Sequence, residues 1–338
     1  MSRVKRSDLV VLGLIAGAGL AWPLFFPSNY AISQGIEILF FVGVCTAWNI
    51  VGGTAGQFAF SHSIYLGCGA YAAALCSVNG VSPFLGMVAG CVLSVGLGIT
   101  IAWTAARFQL PRLAFALITL AFSEIGLLCV LSSDELGGPA GLPIPFTGGE
   151  SLWMLQLDHT GYFLLVLLLT LLCLGVALVL TVTRSGYTYR CVRDNERAAS
   201  AIGISTLRVK LHSMAISAAL TSLMGSAYAL YLGFIDPHEL AGPEIMIEVI
   251  LFAAVGGMGT LWGPALGATV LVVLGNVLRE EFGGVLPPGS HTFVYGAAVV
   301  LVIVLARQGL LEILRKAWQA AWSRVSARTA RTASQAAA

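Results

Sequence analysis

The chain has 338 residues, of which 57% are hydrophobic and only 10% charged, with a formal net charge of +2 and a mean hydropathy of +0.88. Soluble domains carry about 25% charged residues, so this composition excludes a soluble enzyme. It gives no sign of nucleic-acid binding either, because the charges are segregated along the chain instead of gathered on one face. Six of the seven cysteines fall in apolar segments and none forms a CxxC pair. They read as small packing residues, with no disulfide framework or metal site implied.

The N-terminal MSRVKR followed by LVVLGLIAGAGLAW has the form of a signal peptide. Further spans follow at once, so an uncleaved first helix is expected. A helix crosses the hydrocarbon core with roughly 20 apolar residues. Runs of this kind lie at 9–26, 32–51, 61–78, 83–106, 112–132, 161–183, 212–232, 244–259, 263–279 and 291–306. They predict an all-α polytopic membrane protein of about ten transmembrane helices with Gly-rich interruptions. Lysine and arginine collect on the cytoplasmic side of membrane proteins. With Arg3, Lys5 and Arg6 inside, Arg107, Arg112, the six basic residues of 184–210 and the six from Arg307 to Arg331 also fall inside. Arg279, beside Glu280 and Glu281, is the exception. Both termini are therefore expected in the cytoplasm.

Two segments, GGTAGQFAFSH at 52–62 and GGMGTLWGPALGA at 256–268, are Gly-rich and each joins an out-to-in span to an in-to-out span. The span 244–259 is short, about 24 Å at 1.5 Å per residue. Irregular backbone at membrane depth is tolerated only inside protein or along a wet cavity, and transport sites are often built from such interruptions. The V-G-G shared by 51–53 and 255–257 fits either an internal repeat or chance recurrence. Gln57, Ser61 and His62 form a polar step that fits a helix break or a pathway lining equally well. Glu37, Glu124, Glu244 and Glu248 lie in or at the ends of spans, where ionisable groups are costly and face protein or water. They fit a proton relay, contact with a substrate ammonium, or a buried hydrogen-bonded carboxyl.

Residues 184–210, RSGYTYRCVRDNERAASAIGISTLRVK, carry eight of the 34 charged side chains. A helix-permissive stretch runs from Tyr187 to Ile202, with Ala198, Ala199 and Ala201 keeping its surface small. Gly203 is placed to stop it with a left-handed cap. A short amphipathic helix there suits a groove on a partner, while its arginines alone would also set orientation. A phosphate-binding P-loop needs Gly-Lys-Ser/Thr, but Lys5, Lys210 and Lys316 follow Val4, Val209 and Arg315. Any ATP hydrolysis must come from another subunit. G-x-S-x-G, HExxH and Cys/His clusters are also missing from the sequence.

Five blocks resemble the branched-chain amino acid ABC transporter permeases, specifically the M-type subunit. They are NIVGGTAGQFAFSHSIYLGCGAYAAAL at 49–75, LPRLAFALITLAFSEI at 110–125, GGPAGL at 137–142, the stretch from Arg184 to Pro237, and AAVGGMGTLWGPALGA at 253–268. The match runs from about residue 30 to residue 310, in family order. It implies an inner-membrane importer subunit working with a homologous H-type permease, two cytoplasmic ATPases and a periplasmic solute-binding protein, with no cofactor, metal or catalytic residue of its own. The family's loop helix couples ATP hydrolysis to alternating access, and the matching positions are Arg190, Arg193, Asn195, Glu196, Ala199 and Gly203. Candidate pathway residues are Gly56, Gln57, Ser61, His62, Glu124 and Glu248. The implied organisation is one permease domain over 1–310, a cytoplasmic coupling loop over 184–211 within it, and a basic, partly disordered cytoplasmic tail over 311–338. Two places depart from the pattern. Phe58-Ala59-Phe60-Ser61-His62 stands where the family often has Leu-Ser-Leu-Gly-His, and Ala306-Arg307-Gln308-Gly309-Leu310 where it has Arg-Pro-Arg-Gly-Leu. Permeases of this type also serve urea, short amides and aromatic acids, so the chain does not name its solute. The competing reading is a secondary transporter using Glu37, Glu124 or Glu248 as a proton or cation site.

Overall fold

The computed structural model describes residues 6–145, 153–282, 296–297 and 309–312. Twelve α-helices lie in these residues: α1 (Arg6–Phe25), α2 (Asn29–Asn49), α3 (His62–Val78), α4 (Pro83–Arg107), α5 (Arg112–Leu131), α6 (His159–Val182), α7 (Arg184–Asp194), α8 (Glu196–Ala201), α9 (Thr206–Leu232), α10 (Pro237–Ala241), α11 (Pro243–Gly256) and α12 (Gly263–Phe282). Nine of the ten expected spans have a helix close to the expected bounds. The tenth, 291–306, lies outside the described residues apart from 296–297, as does nearly all of the tail 311–338.

Among the described residues, six helical stretches are long and apolar enough to cross a membrane: 7–25, 29–54, 83–107, 112–131, 159–182 and 206–232. The expected count of about ten is therefore met only in part. Helix α11 has 14 residues, about 21 Å at 1.5 Å per residue, short of a core roughly 30 Å thick. Helix α3 has 17 residues, and α12 ends in charged residues. These three pack among the longer helices. The architecture is also not purely helical: Leu142–Pro143 and Phe234–Ile235 form a two-stranded antiparallel sheet, β1 and β2.

Local sequence sets the helix ends. Ser28 caps α2 by accepting from the Ala31 N–H, and Asp158 caps α6 by accepting from Gly161 at 2.7 Å. Pro83 and Pro243 occupy first helical positions, where the missing N–H costs nothing. The helices alternate in direction, so the chain ends of α2, α4, α6 and α11 meet the starts of α3, α5, α9 and α12 at one end of the bundle, beside α7 and α8. The sheet lies at the opposite end.

Helices α3, α4 and α9 pack against one another, and α2 is flanked by α6 and α12. Close backbone approach makes this possible: a Cβ on Gly69 would lie 2.0 Å from the Ser222 carbonyl oxygen. Small residues allow this intimacy where lipid gives helices no hydrophobic reason to associate. Phe40 of α2 stacks on Tyr228 of α9 with centroids 3.9 Å apart. Leu85, Val88 and Val92 on α4, Leu113, Leu117 and Leu128 on α5, and Leu164 and Leu168 on α6 are exposed, while serines and threonines of α9 are buried. This inversion is what a hydrocarbon surround selects.

Candidate coupling and pathway site

Residues 184–203 form two helices, not the single helix expected over 187–202. Asn195 adopts an extended conformation (φ −155°, ψ 105°), and its side-chain oxygen accepts from the Ala198 N–H at 3.1 Å. The residue that ends α7 thus starts α8, because asparagine competes well with the helical backbone and favours caps. Gly203, with φ +86°, closes α8 in the left-handed conformation expected of it. Tyr189, Val192 and Ala199 are buried and hold the two helices against the bundle. The Tyr189 hydroxyl shares a hydrogen bond with His212 Nδ1 of α9, and burial pushes that hydroxyl up from its ordinary titration range.

Two of the three arginines of α7, Arg190 and Arg193, turn inward, while Arg184 is exposed. Arg190 donates to the Thr181 carbonyl at 2.7 Å and the Gly186 carbonyl at 3.2 Å, with its guanidinium 4.8 Å from the centre of the Tyr187 ring. Arg193 donates from Nη1 to the Gly53 carbonyl at 3.1 Å and pairs with Asp194 at 3.1 Å. Arg112 of α5 donates to the Arg193 carbonyl at 2.6 Å. Glu196 pairs with Lys210 of α9 at 2.5 Å. The outward surface belongs to other residues: Arg197, Ser200 and Ile202 are exposed, Ile202 at 74%. A groove of about 590 Å³ runs beside α8, lined by Trp103, Arg107, Arg197, Ser200 and Leu207.

Arg193 reaches a joint between the two Gly-rich interruptions. Helix α2 does not stop cleanly at Asn49 but passes into a π-helical turn over Ile50–Thr54, in which the Ala55 N–H donates to the Ile50 carbonyl at 3.0 Å. Such turns are rare and frequently mark functional positions. Asn49 donates from Nδ2 to the Thr260 carbonyl at 2.9 Å and accepts from the Gly259 N–H at 2.8 Å. One side chain therefore satisfies both faces of the second interruption. Gly53 has no room for more: a Cβ there would lie 1.9 Å from Asn49 Oδ1 and 2.4 Å from the Gly259 nitrogen. Gly56 has φ +72°, and its Cβ would meet Arg193 Cγ at 2.4 Å. The two segments that share V-G-G thus touch, and α7 is clamped to both.

Beyond the joint the chain runs through a buried polar string. The Trp48 indole donates to the Ala59 carbonyl at 2.8 Å, and Phe58 packs edge-on to Trp48 at 5.3 Å, so this aromatic departure from the family pattern is a packing contact. Ser61 donates to the Tyr65 hydroxyl at 3.0 Å. His62 Nε2 lies 2.6 Å from Ser217 Oγ, and Ser217 Oγ gives its one proton to the Ala47 carbonyl at 2.6 Å. His62 must then carry its proton on Nε2. Its Nδ1 has no partner among the described residues, nor does Gln57 Oε1, while Gln57 Nε2 donates to Ser213 at 3.4 Å. Ser61 and His62 are wholly enclosed. Gly56 and Gln57 instead line an open cleft of about 310 Å³ with Arg112, Glu196 and Lys210.

Ser61 and His62 thus lie in the enclosed string and Gly56 and Gln57 at the open cleft, and neither place includes the two glutamates. Glu124 is half-buried on α5, next to Ser123, which bonds Ser63. Glu248 is exposed on α11, toward the opposite end of the bundle. Sequence reasoning missed Asn49 and Arg112. Asn49 carried a signal, being an uncharged polar residue inside an apolar run four positions before Gly53.

A bundle of apolar-faced helices enclosing a polar string and glycine breaks, with amphipathic helices across one end, defines an integral membrane transport component. The family described as the branched-chain amino acid transport system permease component matches residues 31–305, and the chain belongs to it. The chain is 26% identical to the high-affinity branched-chain amino acid transport system permease protein LivM of Salmonella typhimurium and to that of Escherichia coli, in each case covering 93% of this chain and 77% of the relative. It is 24% identical to the autoinducer 2 import system permease protein LsrC of Yersinia enterocolitica, over 75% of this chain and 71% of that protein. No solved structure matches it significantly. The protein is a multi-pass permease of the ABC transporter class in the bacterial inner membrane.

Proposed function

We propose that the chain is the M-type membrane subunit of an ATP-driven importer for branched-chain amino acids or a related small polar solute. It works by alternating access with a homologous H-type permease, two cytoplasmic ATPases and a periplasmic binding protein. The permease domain is 1–310, the coupling loop is 184–211, and both termini are cytoplasmic. Supporting this orientation, every Lys and Arg among the described residues lies toward the α7–α8 end except Arg279.

The observation that carries the reading is the clamp of α7 onto both glycine interruptions through Arg193 and Asn49. A push on α7–α8 reaches the π-helical turn of α2 and the start of α12 without passing through any flexible linker. Movement at a helix pair of this kind is how binding events elsewhere are transmitted. The docking face itself is the exposed side of α8, with Arg197, Ser200 and Ile202, rather than Arg190 and Arg193, which serve their own chain. A helix laid in a partner's groove anchors through such apolar and charged positions.

Co-purification tests this. The wild-type chain is expected to retain the ATPase subunits on an affinity column, and Ile202→Asp with Arg197→Glu is expected to lose them while still inserting in the membrane. Retention of the ATPases by the double variant would remove α8 from the docking role.

A further inference from the structure

The groove of about 590 Å³ beside α8 lies between the last turn of α4, the α8 helix and the first turn of α9. Its volume falls within the range of about 300–1,000 Å³ typical of small-ligand sites. The walls are tied together. Glu196 of α8 pairs with Lys210 of α9 at 2.5 Å. Deeper in the bundle α4 touches α9 directly, since a Cβ on Gly98 would lie 3.2 Å from Ala218 Cβ and 3.3 Å from Met214 Cγ. The turn after α4 is closed by the Leu110 N–H, which donates to the Ala105 carbonyl at 3.1 Å, and it places Gln109 and Leu110 in the wall.

The charge of this wall is one-sided. Arg107, Arg197 and Lys210 face a single carboxylate, Glu196, which Lys210 already takes. Thr206 and Leu207 also line the groove, and they open the 27-residue helix α9. Backbone N–H groups of a first helical turn lack acceptors within the helix, and the positive end of the helix dipole lies there. Anions, phosphate above all, are favoured at such a place.

The groove opens toward the membrane. Val88, Val92, Gly96, Ile99, Trp103 and Arg107 of α4 are all exposed, and their spacing of three or four residues makes one continuous stripe. The stripe is apolar until its last turn, where Trp103 is followed about 6 Å later, at 1.5 Å per residue, by Arg107. An indole and then a guanidinium at the end of an apolar stripe mark the passage from hydrocarbon to headgroups. A soluble anion has no use for the stripe, whereas a lipid uses the stripe and the charges together.

We propose that the groove binds the phosphate of one acidic phospholipid between Arg107 and Arg197, with the glycerol and acyl chains passing over Trp103 onto the exposed stripe of α4. Guanidinium forks match phosphate oxygens, and basic pockets between membrane helices take acidic headgroups in this way. The bound phosphate bridges α4 to α8 and braces α8 from the membrane side. The groove shares Gln109, Glu196, Arg197 and Lys210 with the cleft at Gly56 and Gln57, so the brace stands next to the joint that α7 clamps. The inference needs only a chain that spans the membrane, and it is independent of the solute and of the docking role of α8.

The test uses the full chain alone in phosphatidylcholine nanodiscs, into which phosphatidylglycerol with brominated acyl chains is titrated. Bromine quenches the fluorescence of indoles that it touches. Wild-type fluorescence is expected to fall more with brominated phosphatidylglycerol than with brominated phosphatidylcholine at the same mole fraction, and Trp103→Phe is expected to lose that difference. Arg107→Gln is expected to raise the mole fraction for half-quenching about fivefold, the worth of one basic residue at an acidic surface, with recovery in Arg107→Lys. Should Arg107→Gln fail to fold, Arg197→Gln carries the same expectation. Inorganic phosphate is expected to displace the lipid no better than chloride at equal ionic strength. Equal quenching by the two lipids, or a preference that survives in Arg107→Gln and Arg197→Gln, would overturn the proposal. Displacement by inorganic phosphate beyond that by chloride would overturn it too, in favour of a site for free anions. The ATPases are absent from this measurement, so failure of α8 as their docking face leaves its outcome unchanged.

Discussion

Replacing Asn49 with alanine cuts the joint between the two glycine interruptions without adding bulk. The side chain is 4% exposed and makes two hydrogen bonds, to the Thr260 carbonyl at 2.9 Å and from the Gly259 N–H at 2.8 Å. A typical hydrogen bond contributes about 1 kcal/mol net, and an orphaned buried partner costs about 1–3 kcal/mol. Thr260 is exposed, so water replaces the donor it loses, whereas the Gly259 N–H sits against Gly53 with less access. The expected loss is therefore about 2 kcal/mol. At about 2.1 cal/mol/K of unfolding entropy per residue, a chain of 338 residues shifts by about 1.4 °C per kcal/mol, so the unfolding midpoint of the purified chain should fall by about 3 °C. The reconstituted importer should also move less solute per ATP hydrolysed, because α7 remains docked while the second interruption is released. Both readouts come from one preparation, by thermal denaturation in detergent and by paired uptake and ATPase assays in vesicles. A midpoint within 1 °C of wild type, together with an unchanged ratio of solute to ATP, would refute the joint as a stabilising and transmitting element.

Gly69→Val should prevent stable folding, because even a Cβ would lie 2.0 Å from the Ser222 carbonyl oxygen of α9; loss of monodisperse protein in detergent checks this. Tyr189 is held protonated by burial, so its folded titration lies above the free value of about 10. Its contribution is fully present below about pH 10 and is lost as pH rises through the higher folded value. Limited proteolysis should show 184–203 becoming cleavable on alkaline titration, and Tyr189→Phe should flatten that dependence.

The apolar runs made the membrane helices legible, because their length and composition answer to one solvent. Boundaries were readable where a residue has a single local use, as at Pro83, Pro243 and Gly203. The break at Asn195 was not readable, since the flanking residues suit a helix and only the capping bond to Ala198 decides the matter. Charge was the least reliable guide to the loop. Arg190 and Arg193, which the family resemblance offers as coupling positions, donate hydrogen bonds to carbonyls of their own chain, a use that their charge alone does not reveal. Asn49 and Gly259 are 210 residues apart in sequence, a pairing that periodicity cannot reveal.

The central claim is that this chain moves solute only when ATPase subunits drive it through the α7–α8 clamp. Its most direct test is uptake of radiolabelled leucine, urea and acetamide into proteoliposomes that contain the two permeases and binding protein, with and without the ATPases. The account predicts uptake of one of these solutes with ATP and ATPases present, and none from a proton gradient when the ATPases are left out. Gradient-driven uptake in vesicles lacking the ATPases would contradict it and favour a secondary transporter built on the membrane glutamates.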